Sequence, residues 1–128
     1  MFSLSKNLSI NNIFKRFHDL EINPGLNILE YKHDDIFLNS ACRFYVTENF
    51  SINYVNELID LSADVVRQEG NKSSKSILSN ISNDIDLDYD SSILVFYSPE
   101  FVCETVVYYD KSESLFYIIN RTPLPFLF

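Results

Sequence analysis

Apolar positions recur along this chain in two rhythms, and the change of rhythm divides it into elements. From Ser9 to Leu20 the residues Ile10, Ile13, Phe14, Phe17 and Leu20 recur at helical spacing, with Lys15, Arg16 and Asp19 on other faces. That spacing predicts an amphipathic helix with Ser9 as its N-cap. Asn23-Pro24-Gly25 reads as a type II turn, with Pro leading and Gly following. Leu26–Lys32 and Ile36–Thr47 read as strands, the second bent near Asn39-Ser40, joined through the polar His33-Asp34-Asp35.

The helical rhythm returns most strongly from Ser51 to Glu69. Ile52, Val55, Ile59, Ser62 or Ala63, and Val66 form one stripe, widened by Leu58 and Val65. Ser51 can cap its start, and Gly70 stands where a C′ glycine would close it. A short third helix is predicted over Ser74–Asn83, carrying Ile77, Leu78 and Ile81. Three strands follow at Ser92–Tyr97, Phe101–Tyr109 and Leu115–Asn120, with turns short enough for an antiparallel meander.

Two of these strands are almost continuously apolar, a pattern that suits strands covered on both faces. Pro123 and Pro125 end regular pairing, and the apolar tail Leu124–Phe128 folds back by default. The expected fold is one α+β domain over residues 1–128, in the order α-β-β-α-α-β-β-β. Its sheet has about five mostly antiparallel strands, with two or three helices packed mainly on one face.

Between the third helix and the meander the rhythm is two. In Asp84-Ile85-Asp86-Leu87-Asp88-Tyr89-Asp90, four carboxylates alternate with three apolar residues. An extended backbone sends the carboxylates to one side, about 6.6 Å apart, and Ile85, Leu87 and Tyr89 to the other. D-x-D-x-D also opens an EF-hand loop, but Tyr89 stands where that loop needs Gly and Val95 where it needs the bidentate Glu. Paired carboxylates used as acid and base need a pocket that pushes their pKa values apart, and no glycine-rich or histidine-bearing loop encloses this row. A partner-facing acidic edge suits it better, with Asp84, Asp86, Asp88, Tyr89 and Asp90 as the contact set. The plain alternative is a solvated edge whose charges prevent aggregation.

Charge sharpens that picture. Formal net charge is −8, and it is uneven: residues 1–75 hold ten acidic and eight basic side chains, residues 76–128 eight acidic and two basic. Such a field favours a basic protein partner and argues against direct nucleic-acid binding. Tyr89, Tyr97, Tyr108, Tyr109 and Tyr117 cluster in the same half and suit either contact or packing.

The remaining chemistry is sparse. Cys42 and Cys103 sit in apolar runs, as small buried hydrophobes do. His33, Asp34 and Cys42 can be drawn as a thiol–imidazole set, but Cys42 beside Ala41 and Phe44 reads as structural. His18 has no second His at metal spacing. No nucleophile elbow, P-loop or dinucleotide glycine pattern occurs. No metal, cofactor or enzymatic activity is expected, and neither signal peptide nor membrane span is read, which places the protein in the cytoplasm.

Size, acidity and lack of catalytic motifs fit an inhibitor of the immunity-protein kind, covering the basic surface of a co-encoded bacterial nuclease toxin. That fit is compositional, carried by no diagnostic motif. The other readings are a secretion-type chaperone for an effector, or an enzyme or ligand-binding domain without a recognisable motif. A homodimer through the apolar tail is left open.

Overall fold

The computed structural model describes residues 2–36, 40–52, 59–82, 84–100 and 102–123, with side chains given from residue 10 onward apart from residues 35, 36, 40 and 123. Helix α1 (Phe2–His18) is followed by strands β1 (Ile28–Ile36) and β2 (Ser40–Thr47). Helix α2 (Asp64–Ser79) precedes β3 (Ser92–Pro99), β4 (Glu104–Asp110) and β5 (Leu115–Pro123). The five strands form one antiparallel sheet in the order β1-β2-β5-β4-β3, so the class is α+β.

Strand alternation sorts the apolar residues into two layers. Tyr45, Val107, Phe116 and Ile118 pack on one side with Ile10 and Phe14 of α1. Phe44, Val46, Val106, Tyr108 and Ile119 pack on the other with Ile77 and Leu78 of α2. The helices therefore cover opposite faces, where the sequence led us to expect both mainly on one. The physical reason lies in the strands: consecutive residues of β4 and β5 are apolar, so each face needs its own cover. In β3, a bulge between Leu94 and Phe96 places Val95 and Phe96 together on the α1 side and leaves Leu94 on the α2 side.

Helix α1 begins earlier than its apolar stripe implied, running through Ser9, so Ser9 is not a cap. It ends at Asp19, whose φ of 54° is a left-handed conformation that Asp tolerates, and Leu20 N–H reaches back to the Phe14 carbonyl at 3.0 Å. The next correction is larger. The helix expected over Ser51–Glu69 starts only at Asp64, and the one expected over Ser74–Asn83 is its continuation, ending at Ser79. Val55 and Leu58 of the expected stripe lie outside the described residues, while Ile59, Val65 and Val66 are exposed. Tertiary pairing overrides the local periodicity here. Leu61 N–H donates to the Leu94 carbonyl at 2.8 Å and Leu94 N–H to Ser62 Oγ at 3.0 Å, laying this segment along the outer edge of β3.

Gly70 is accordingly no helix terminus. It is buried in mid-helix with Leu94 against it, and a Cβ there would stand 3.1 Å from Leu94 Cδ2. Absence of a side chain lets α2 lie close on the sheet. His33, Asp34 and Asp35, expected as a turn, belong to β1 and pair with Arg43, Cys42 and Ala41. Residues 37–39, where the bend near Asn39-Ser40 was expected, lie outside the described residues, as do Phe101 and the tail 124–128. β5 runs three residues past Asn120, and Pro123 is its last residue, paired with Ser40. No helix among the described residues is long and apolar enough to cross a membrane.

Candidate functional site

The alternation in 84–90 is present in three dimensions. Asp84, Asp86, Asp88 and Asp90 are exposed, while Ile85, Leu87 and Tyr89 are half-buried against the α2-side core. The segment is an irregular connection between α2 and β3, turning at Tyr89–Ser91, and not a strand of the sheet. Its hold on the protein is therefore made by side chains.

Tyr89 carries most of that hold. Its hydroxyl lies 2.7 Å from Ser74 Oγ on α2, and its ring meets Tyr108 edge-on at 5.4 Å between centroids. The Lys75 ammonium stands 5.1 Å from the same ring, and the Arg67 guanidinium donates to the Tyr89 carbonyl. Beneath them Tyr108 donates to Asn71 Oδ1 at 2.6 Å. Burial pushes the phenols of Tyr89 and Tyr108 up, so both stay neutral at ordinary pH. Two cationic residues of α2 thus fix the acidic segment from within, and the carboxylates are left to face outward.

An open groove runs along the strip. One part, about 300 Å³, is lined by Lys75, Leu78, Ser79, Ile85, Asp86 and Leu87, among others. A second part, about 510 Å³, is lined by Lys75, Leu87, Tyr89 and the carboxylates of Asp86, Asp88 and Asp90. Asp88 Oδ1 accepts from the N–H groups of Asp90 and Ser91 at 3.2 and 3.3 Å, and hydrogen bonding from Ser91 moves its pKa down. That is the opposite of what a catalytic acid requires. Among the described residues no three His, Cys, Asp or Glu side chains converge on a metal position. The arrangement offers several exposed carboxylates on a partly apolar base, which is chemistry for attracting and seating cations.

Other candidates are placed as follows. Tyr97, Tyr108 and Tyr117 pack in the α2-side core and Tyr109 against Phe116 on the α1 side, so these tyrosines serve mainly as packing. Cys42 is buried on the α2 side with its thiol pushed up by burial, while His33 stacks on Tyr31 on the α1 side. The strand alternation sets that His and that Cys on opposite faces.

A polar cluster that sequence spacing did not reveal crosses one end of the α1 face. His18 Nε2 lies 2.8 Å from Thr105 Oγ1 and 3.5 Å from Cys103 Sγ. Asn120 Nδ2 donates to Cys103 Sγ at 3.1 Å and Thr105 Oγ1 at 2.9 Å, and Arg43 donates to Asn120 Oδ1 at 3.3 Å and to Thr122 Oγ1 at 3.0 Å. Thiol, imidazole and amide in contact suggest nucleophilic chemistry, but the environment opposes it. Burial lowers His18 to about 4 and raises the Cys103 thiol, which keeps both neutral, and Cys103 has no exposed surface. The cluster is a satisfied buried network. Its only sequence trace is polar residues two apart at the strand ends, at 103 and 105 and at 120 and 122.

Comparison with known protein families, curated proteins and solved structures finds no match to the chain.

Proposed function

We propose that this protein is an acidic binding module that inhibits a basic protein partner, acting in the cytoplasm as an immunity protein against a co-encoded bacterial toxin of the nuclease type. One observation carries the reading: Asp84, Asp86, Asp88 and Asp90 all face solvent, while the alternate residues tie the segment to α2 and the sheet. A strip held from inside keeps its carboxylates in a fixed row, so several Lys or Arg side chains of a partner meet preplaced anions. The eight acidic and two basic side chains of residues 76–128 extend the same field and speed encounter. A nuclease needs a cationic surface for its substrate, and an anionic strip of this kind competes for it.

The test is affinity capture from the native host with the wild-type protein and with Asp84, Asp86, Asp88 and Asp90 all changed to Asn. The reading expects a basic protein retained by the wild type, released by salt, and bound at least about tenfold more weakly by the variant. The wild type should also suppress that protein's nuclease activity. Equal affinity and equal salt dependence for both forms would remove the strip from the interface.

A further inference from the structure

Strand β1 stands at one edge of the sheet, and among the described residues β2 is the only strand paired with it. Its ladder is regular from Glu30 to Ile36, past a shift of register between Ile28 and Glu30. That stretch holds no proline, so its outward N–H and C=O groups form a template for one more strand. Glu30, Lys32 and Asp34 pair with Val46, Phe44 and Cys42 of the α2-side core, so all three lie on that side. Acid, base and acid therefore follow one another along one side of an open edge. Glu30 and Asp34 are exposed, and Lys32 Nζ is loosely placed, 4.0 Å from Glu30 Oε1. We propose that β1 pairs antiparallel with β1 of a second copy, giving a two-fold dimer whose sheet is continuous.

The charges select the copy and the register together. A two-fold axis normal to the sheet sets one residue of β1 opposite itself. With His33 on the axis, Lys32 of each copy stands opposite Asp34 of the other, and 30–36 pairs wholly within the regular stretch. The stacked rings of Tyr31 and His33 then meet the same pair of the other copy on the α1 side. With Lys32 on the axis, lysine would face lysine and Glu30 would face Asp34. With Asp34 there, aspartate would face aspartate. With Tyr31 there, Glu30 would face Lys32, but the pairing would run into the shift at Ile28. The register centred on His33 alone combines opposite charges with an unbroken ladder.

The field of the whole molecule allows two copies to meet at this edge. Residues 1–75, which include β1, carry ten acidic and eight basic side chains, and most of the net charge lies beyond them. The acidic strip leads into β3, the opposite edge of the sheet. In a sheet of twice five strands the two β3 edges lie about nine strand spacings apart, roughly 43 Å. That is several times the Debye length of about 8 Å at physiological ionic strength, so the strips do not repel one another. Both strips also stay open to a partner. The contact stands or falls independently of the proposed function, because it uses the other edge.

Sedimentation equilibrium over micromolar to submillimolar concentrations tests the pairing on the wild type, Lys32→Glu, Asp34→Lys and an equal mixture of these two variants. The wild type should show a monomer–dimer equilibrium. Either variant alone turns two attractive cross-strand pairs into repulsive ones and should raise the dimer Kd by about tenfold or more. The mixture restores opposite signs at both pairs, so it should dimerise as the wild type does, with one variant of each kind per dimer by native mass spectrometry. Glu30→Lys, which has no charge directly opposite it in this register, should still dimerise. A monomeric wild type, a dimer indifferent to both reversals, a mixture that stays monomeric, or loss of the dimer in Glu30→Lys would overturn the pairing. Should a variant not fold, amide hydrogen exchange of the wild type decides. Protection over 30–36 that grows with protein concentration supports the pairing, and protection that does not change overturns it.

Discussion

Valine at position 70 adds three carbons where α2 lies against Leu94 of the sheet. The first of them, Cβ, would stand 3.1 Å from Leu94 Cδ2 and 3.4 Å from Leu94 Cδ1. Leu94 cannot turn aside easily. It has no exposed surface, its backbone is held at N–H by Ser62 and at C=O by Leu61, and it pairs with Tyr108 in β4. Overpacking of this kind destabilises by about 1–3 kcal/mol. Leu94→Ala removes three carbons from the same place and alone costs about 2–5 kcal/mol. The combined Gly70→Val, Leu94→Ala variant restores the volume, so the two changes should fall short of additivity by about 1 kcal/mol or more. Gly70→Ala should stay within about 1 kcal/mol of wild type, because helix propensity offsets the tighter contact. Urea unfolding followed by circular dichroism measures all four, with the midpoint as readout and an unchanged slope as the two-state check. A Gly70→Val variant as stable as the wild type, or strict additivity with Leu94→Ala, would refute the close approach of α2 to β3.

Two further outcomes rest on buried polar groups. Asn120→Ala removes the donor to Cys103 and Thr105 and the acceptor for Arg43, and should lower stability by about 2–4 kcal/mol in the same unfolding assay. Tyr108 is a phenol held neutral by burial, with its folded pKa raised above the free value of 10.0. Its stabilisation is present below pH 10 and is lost as pH rises beyond it, so alkaline stability curves should fall and phenolate absorbance should appear together with unfolding. Tyr108→Phe should flatten the alkaline fall.

Much of this arrangement was legible in the sequence where local pattern and tertiary environment agree. The two-residue rhythm of 84–90 predicted which side chains face out, because Ile85, Leu87 and Tyr89 have a core within reach and the carboxylates between them do not. The three-stranded meander followed from short turns, and the buried side of α1 from Ile10, Ile13 and Phe14. Agreement fails at 59–70. There the apolar stripe read as a helix is set against hydrogen bonds that Leu61 and Ser62 make to a strand more than thirty residues on, and those bonds win. Gly70 has the composition of a cap but the role of a spacer, a difference only Leu94 reveals. The cluster of His18, Arg43, Cys103, Thr105 and Asn120 was invisible for a similar reason, since its members come from α1, β2, β4 and its approach, and β5. For the acidic strip the sequence supplied the residues, while its anchoring by Ser74, Lys75 and Arg67 emerged only with α2 in place.

The β2–β5 pairing also sets the order in which the sheet can assemble. The hairpins join at Ile36 to Ser40, Pro99 to Glu104 and Asp110 to Leu115, each only a few residues apart. The β2–β5 seam instead joins residues 69 to 83 positions apart, from Thr47 with Phe116 to Ser40 with Pro123. About four doublings of loop length separate the two kinds of contact, roughly 2 kcal/mol of extra closure entropy. The hairpin and the meander can therefore form early, while joining them is the slow step. Until it happens, Phe44 and Val46 on one piece and Ile118 and Ile119 on the other have open strand edges. On the ribosome that interval lasts until residues 115–123 have been made, and through it the edge of β2 that β5 will cover is open to a wrong neighbour.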